Sequence, residues 1–416
     1  VIGRPNCLKH ILIINQHYYP DFAATGQLLA ELCEDLEKAG FKITVITGYP
    51  ESGTYPENSI PLKNEITGNL TIRRLYNHPA GNKSISNRLL HFFSFWLGSI
   101  QASFLTRNVD LVFVMSTPPL LNGITANLLR IFKRIPYIYN VQDLYPAIAV
   151  EMGTLKNKPL IRFSEWAEKY INSSAVSIVT LSEPMKMAIA DSGVDKNKIQ
   201  IIPNWSDDQL LKPQKSSSFR SLNHLYGKFV IMYSGNIGMS QGLETILSLA
   251  PELEKENPEF HFCIIGNGVK LPALKQQVKN SGVSNVSFHP FQPKELLSDS
   301  LNAADIHLIP LTEKMAKYLL PSKLYGILAV GKPILAIVDE GTEIDVLVRN
   351  TVCGYSIRPG ELGKLKEVLK TAFAERDSLA EMGKKGRSHF LENLTRQKAT
   401  ESYFQLLSRL TSRKQP

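Results

Sequence analysis

Cysteine is scarce in this chain, with four in 416 residues. Cys7, Cys33, Cys263 and Cys353 share no paired or metal-like spacing, which excludes a disulfide framework and points to buried, reduced thiols in a cytosolic protein. No stretch reaches the ~20 uninterrupted apolar residues of a membrane-spanning helix. The first apolar run, residues 11–14, is short and strand-like and lacks the pattern of a signal peptide. There is no C-x-x-C pair, RNP-like segment or dense Arg/Lys helix, so nucleic acid is not an expected partner. An N-terminal G-x-G-x-x-G is also missing, which argues against a plain dehydrogenase.

What is present is the composition of a soluble globular enzyme, 43% hydrophobic and 20% charged. The length predicts two domains of roughly 200 residues each. A net charge of +9 favours an anionic partner, and the total alone does not say whether that is a membrane or a phosphorylated substrate.

Residues 10–15 (HILIIN) form a branched apolar run suited to a strand buried on both faces. A loop, HYYPDFAATG (17–26), follows, and residues 27–39 carry apolar side chains at helical spacing up to Gly40. With a strand over 42–47 this is a βαβ beginning, which predicts a parallel sheet covered by helices on both faces. Further strands are predicted over 70–75, 111–115, 137–141, 177–181 and 199–202. The polar segment 203–221 reads as a linker.

The pattern then restarts. A strand over 229–233 leads into a glycine-rich loop (235–242) and a helix over 243–254. A second strand (260–265), a GNG turn (266–268) and a helix (271–281) follow, and strands over 286–289, 306–309 and 333–337 complete the second half. Residues 364–413 read as two or three closing amphipathic helices. The expected fold class is α/β: two Rossmann-like, doubly wound parallel-sheet domains facing a central cleft. The boundaries are placed at 1–208 and 209–388, with 389–416 as a final helix packing back on the N-terminal domain. Loops at the carboxyl ends of parallel strands bind ligands, so the cleft is the expected active site.

Four segments resemble, in order, the donor half of glycosyltransferase family 4: YSGNIGMSQG (233–242), IIGNG (264–268), NAADIHLIP (302–310) and LPSKLYGILAVGKP (320–333). In the first half, MSTPP (115–119) and NVQDLYP (140–146) are similar to bacterial exopolysaccharide and O-antigen transferases, including fucosamine-transferase-like ones. The resemblance spans nearly the whole chain. It implies a GT-B fold with an acceptor-binding first domain and a nucleotide-sugar-binding second domain. The implied activity is a retaining, hexosyltransferase-type transfer from a nucleotide diphosphate sugar, UDP-sugar favoured, to a lipid-linked or saccharide acceptor in surface polysaccharide biosynthesis. The chain departs from the family where its paired E-x7-E glutamates align with Tyr318 and Gly326, and where its loop Arg and Lys align with Asn236 and Gln241.

Breaking a glycosidic bond to a diphosphate builds charge on the leaving phosphates, which fixed donors and cations stabilise. Ser322, Lys323 and Leu324 open a predicted helix (322–330) whose N-terminal amides and Lys323 charge suit a diphosphate. The alternative for Ser322 is a simple helix cap. Gly235 lets backbone approach the same phosphates, while Asn236 and Gln241 offer amide hydrogens. By the resemblance, Gly266, Gly268 and Phe291 lie near the nucleotide, and Glu343 is a candidate for sugar or ribose hydroxyls. Its bland reading is a helix-start acid.

In the first half, His17, Tyr18, Tyr19 and Gly26 are candidate acceptor contacts, set against aromatic packing under the loop. Asp143, at the end of a buried-looking strand, is the candidate catalytic acid that orients an acceptor hydroxyl or donor sugar. Gln142 and Glu151 are candidates beside it, and for Glu151 a helix-start or loop acid facing water is the favoured alternative. Retaining GT-B chemistry needs no protein nucleophile, and with no D-x-D signature no metal or other cofactor is expected. The aromatic segment 89–97 and the basic end of 121–134 suggest peripheral contact with an anionic membrane, on the inner face of the cytoplasmic membrane. Two rival readings are a non-catalytic sugar-nucleotide-binding scaffold and a non-hydrolysing nucleotide-sugar epimerase.

Overall fold

The computed structural model describes residues 8–21, 23–50, 62–78 and 85–412. The chain divides into two compact units: residues 1–203 with 397–416, and residues 204–396. The first division falls five residues before the expected boundary. The second falls after helix 376–393, so that helix belongs wholly to the second unit.

Unit 1 contains β1 (His10–Ile14), α1 (Ala24–Lys38), β2 (Lys42–Gly48), β3 (Leu62–Thr67), β4 (Leu70–Leu75), α2 (Ile85–Leu105), β5 (Leu111–Met115), α3 (Leu121–Lys133), β6 (Tyr137–Asn140), α4 (Ala147–Glu151), α5 (Lys158–Ser174), β7 (Ser177–Thr180), α6 (Glu183–Asp191) and β8 (Ile199–Ile201). Among the described residues its sheet has the order β3-β4-β2-β1-β5-β6-β7-β8, parallel except for the β3–β4 pair. β1, β5 and β6 are buried along their whole length, as a sheet covered on both faces requires. The order reverses between β1 and β5, so the loops after them flank the switch point where α/β sheets bind ligands.

Unit 2 contains α7 (Ser218–Leu222), β9 (Phe229–Ser234), α8 (Leu243–Leu247), α9 (Ala250–Glu256), β10 (Phe260–Ile265), α10 (Leu271–Ser281), β11 (Val286–His289), α11 (Leu297–Asn302), β12 (Ile306–Pro310), α12 (Lys323–Ala329), β13 (Ile334–Ile337), α13 (Glu343–Thr351), β14 (Gly354–Ile357), α14 (Leu362–Ala374) and α15 (Arg376–Asn393). Its described strands form a parallel sheet in the order β11-β10-β9-β12-β13-β14, with the switch point between β9 and β12. α7 begins inside the segment expected to be linker. There Asp299 accepts from the Ser218 and Phe219 amides and so fastens the short helix to α11.

The last helix, α16 (Arg396–Ser412), returns to unit 1. Tyr403 is buried there, edge-on to Phe113 at 5.8 Å, and the Asn140 amide donates to its hydroxyl at 2.8 Å. Where the chain enters and leaves unit 2, Ser206 and Thr395 pair side by side, and Arg396 N donates to Ser206 O at 3.1 Å.

Candidate active site

In unit 2 the loops after β9 and β10 are zipped together beyond the ends of their strands. Gly235 N donates to Ile265 O, Ile237 N to Asn267 O, and Lys270 N back to Ile237 O, at 2.8 to 3.1 Å. The backbones approach so closely that a Cβ on Gly266 would stand 1.9 Å from Gly235 O, and one on Gly268 would stand 2.2 Å from Ile237 O. Gly266 also has a φ of +143°, so both conformation and space demand glycine there. These two expected glycines therefore serve the join between the loops.

Lys323, the first residue of α12, reaches across to this floor. Its amine stands 3.5 Å from the centroid of the Tyr233 ring. A Cβ on Gly235 would lie 2.9 Å from Lys323 Cε and 3.0 Å from Nζ, so Gly235 clears the path of the lysine. Desolvation holds the amine well below the ordinary lysine range, and no carboxylate pairs with it among the described residues. Tyr233 itself is fully buried and donates its hydroxyl to Asn236 O at 2.5 Å.

The neighbours of Lys323 differ from expectation in three ways. Ser322 occupies the N-cap position, but its hydroxyl makes no capping bond. Leu324 is buried, and its amide donates to Pro321 O at 3.2 Å, while the Tyr325 amide donates to Ser322 O at 3.3 Å. Those first amides are already engaged, which moves the positive charge of this corner onto the Lys323 side chain. Gln241 braces its own loop, accepting from Gly238 N at 2.9 Å and donating to Ser240 Oγ at 2.8 Å. Asn236 is exposed.

Phe291 follows the edge strand β11 and is 38% exposed. Glu343 opens α13 and is half-buried. The turn before it is fixed by Gly341 N donating to Asp345 Oδ2 at 2.9 Å and by the Thr342 hydroxyl donating to Asp339 O at 2.6 Å. Gly326, aligned with one missing family glutamate, faces Leu301 and Leu211, so a longer side chain there would enter packed apolar surroundings.

In unit 1 the loops after β1, β5 and β6 are tied to one another. Thr117 O accepts from Gln16 N at 3.3 Å and from the Asn122 amide at 2.6 Å, and Ser116 Oγ accepts from Gln142 N at 3.1 Å. The Gln142 amide turns inward and donates to Asn140 Oδ1 at 2.7 Å, making it part of a buried chain that ends at Tyr403. Asp143, the next residue, is half-buried. Its carboxylate has no hydrogen-bond or ion-pair partner among the described residues, and burial pushes it up to about 6. Glu151 ends α4 and is exposed.

The aromatic loop divides by role. Tyr18 points into the core and shares a hydrogen bond with the buried Cys33 thiol, so it packs beneath the loop rather than presenting a polar tip at its surface. Tyr19 is 53% exposed. His17 pairs with Asp21 at 3.0 Å. Gly26 is a packing glycine, since a Cβ there would stand 2.9 Å from Tyr18 N, leaving no opening for a ligand.

Residues 25–210 match the profile described as Glycosyltransferase Family 4, and residues 214–389 match Glycosyl transferases group 1. The chain belongs to these glycosyltransferases. This glycosyltransferase is 25% identical to the probable glycosyltransferase WbjE of Pseudomonas aeruginosa, over 85% of its own length and 87% of that protein's. It is 26% identical to the putative colanic acid biosynthesis glycosyl transferase WcaI of Escherichia coli, over 81% and 85% of the two chains. Among solved structures it resembles sucrose-phosphate synthase from Thermosynechococcus elongatus, with a TM-score of 0.76 at 16% identity, covering 97% and 99% of the chains. HepE of Anabaena, solved with UDP and glucose, gives 0.72 at 16% identity over 96% and 100%. The fold is therefore GT-B, with a Rossmann-like sheet in each unit.

Three residues that brace the loops of the candidate site in this glycosyltransferase escaped sequence reading. Tyr233 looks like one more apolar residue of a buried strand, and only its place two residues before the glycine loop hints otherwise. Ser116 and Asn122, which join the loops of unit 1, carry no signal beyond their place within and just after the MSTPP segment.

Proposed function

We propose that this glycosyltransferase moves a sugar from a UDP-linked donor to a lipid-linked or saccharide acceptor in surface polysaccharide biosynthesis, retaining the anomeric configuration and needing no metal. The observation that carries this reading is the Lys323 amine, which lies over an aromatic ring beside Gly235 with no carboxylate partner among the described residues. A desolvated, uncompensated amine beside a glycine loop at the carboxyl end of a parallel sheet suits a diphosphate. The diphosphate supplies the counter-charge that the protein withholds and restores the amine to its charged form. As the bond from C1 to the phosphate oxygen breaks, the acceptor oxygen bonds to C1 on the same face. The acceptor proton passes to the leaving phosphate oxygen. Positioning and charge stabilisation then carry the rate. Asp143 is assigned to the acceptor side. The naming of WcaI as a putative colanic acid biosynthesis glycosyl transferase and the complex of HepE with UDP support the choice of pathway and base.

Peripheral membrane contact is part of the reading. α3 packs against both α2 and α5. Outward from these helices stand Leu89, Phe93, Leu97, Phe132, Phe163 and Trp166, each at least 45% exposed. Arg134, Lys158, Arg162 and Lys169 are exposed on the same elements or at their ends, whereas the Lys133 amine is spent on the Phe104 and Thr106 carbonyls. An apolar patch with basic surroundings suits an anionic lipid surface.

The test is a melting-temperature and nucleotide-release screen with UDP-, GDP- and ADP-sugars on wild type and Lys323→Ala. A UDP-sugar is expected to stabilise the wild type, to lose that effect in the variant, and to release UDP with kcat/KM lower by ~10²–10³ in the variant. Stabilisation without release, with lipid-linked acceptors added, would instead mark a binding protein. Absence of any shift would remove the donor site from unit 2.

A further inference from the structure

Tyr233 combines two contacts that no packing role requires. Its ring face carries the Lys323 amine at 3.5 Å, well inside the ~6 Å over which a ring quadrupole attracts a cation. Its hydroxyl donates at 2.5 Å to Asn236 O, at the start of the loop that borders the amine. The side chain is fully buried and comes from β9, whose pairing with β10 and β12 fixes its direction. Among the described residues, no carboxylate pairs with the lysine. His307 on β12 is wholly buried, its Nε2 bonded to Leu301 O at 2.9 Å, and burial pushes it down to about 3, so it is neutral near pH 7. Its remaining ring nitrogen has no hydrogen-bond partner among the described residues. Gly326, at one of the family's glutamate positions, points into apolar packing.

A half-buried lysine with no counter-ion among the described residues needs some other group to fix its place and favour its charged form. We propose that Tyr233 is a positioning residue for the donor diphosphate: its ring seats the Lys323 amine in place of a carboxylate, and its hydroxyl holds the Gly235–Asn236 backbone against that amine. The inference rests on the reading of Lys323 as the diphosphate's cation. The two jobs are chemically separable. The ring acts through its electron-rich face, and the hydroxyl through one hydrogen bond. A carboxylate in the same place would neutralise the lysine and compete with the phosphates, whereas a ring attracts the ammonium without cancelling its charge. That makes an aromatic seat suited to a lysine that must meet an anion.

The experiment separates ring electronics from shape. Tyr233→Phe keeps the ring, and mono-, di- and trifluorinated phenylalanine at the same position withdraw its face density with little change in volume. UDP-sugar affinity and the KM and kcat for donor turnover are measured for each, in wild type and in a Lys323→Ala background. Tyr233→Phe is expected to keep donor affinity within about threefold. Fluorination is expected to weaken it stepwise, to about tenfold for the trifluoro ring, with KM rising more than kcat falls. In the Lys323→Ala background the series is expected to be flat. In parallel, the Lys323 amine is titrated by nitrogen NMR without donor, and its midpoint is expected to fall along the fluorinated series. Donor affinity that ignores fluorination, or that changes by the same factor without Lys323, overturns the positioning role alone. A wild type that binds no sugar nucleotide overturns the donor reading and this inference with it, while the titration still reports whether the ring holds the amine.

Discussion

Asp143 carries an unusual burden for one carboxyl group. Half-buried and without a hydrogen-bonding or charged partner among the described residues, it is pushed up to about 6 in the folded chain from an ordinary value of 3.8. A raised acid binds more protons folded than unfolded between those two values. It therefore lowers stability progressively as pH rises through that window and imposes its full cost above about 6. Removing the charge should show both sides of this. Asp143→Asn is expected to raise the melting temperature by several degrees at pH 8, with the gain shrinking toward pH 4, since the shift corresponds to about 3 kcal/mol at most. Transfer activity is expected to fall, and the acidic limb of the wild-type rate profile, with its midpoint near 6, is expected to disappear. A variant that is both more stable and equally active would remove Asp143 from the chemistry. The placement of Lys323 at the start of a helix and of Gly235 just after a strand was legible in the sequence because their motifs stand in a fixed order. Tyr18 was not, since an aromatic in a loop gives no sign of whether its hydroxyl meets solvent or, as here, the Cys33 thiol.

The central strands were readable from their branched apolar runs, and they are the ones buried on both faces. β3 and β14 were missed for the opposite reason. Both lie at sheet edges: β3 mixes Lys63, Asn64 and Glu65 into its length, and β14 is only half-buried at three of its four positions. The single helix expected over 243–254 breaks into α8 and α9, where Pro251 is admitted in the first turn of α9 because it would otherwise interrupt a continuous helix. The join between the β9 and β10 loops gives the sharpest test at this scale. Gly266→Ala is expected to cost unit 2 about 2–3 kcal/mol in urea unfolding, because a Cβ would meet the Gly235 carbonyl in a backbone conformation that alanine disfavours. Gly363→Ala, in the first turn of α14 with nothing within 4 Å, is expected to be neutral or stabilising. Equal effects at both positions would mean that the join relaxes freely.

For the molecule as a whole, charge and exposed aromatics lead to one prediction. No described helix is long and apolar enough to cross a membrane. The protein is expected to sediment with vesicles containing phosphatidylglycerol and less with neutral ones. Salt should weaken the binding, and Phe132→Ser and Trp166→Ser should each lower the partition about tenfold. Equal binding of both variants would place any lipid contact elsewhere. The two-unit organisation was legible because the strand–loop–helix pattern restarts after residue 203. The return of the final helix to the first domain was part of that reading, but the residues it meets were not, since they lie some 260 to 360 positions earlier, Asn140 with Tyr403 and Phe41 with Phe404. That path makes unit 2 an insertion within unit 1, entered and left where Ser206 lies beside Thr395. Translation therefore delivers every residue of unit 2 before α16 exists. On the nascent chain the berth for Tyr403 beside Phe113 stays empty until the inserted unit has cleared the ribosome, so the part made first is the part finished last.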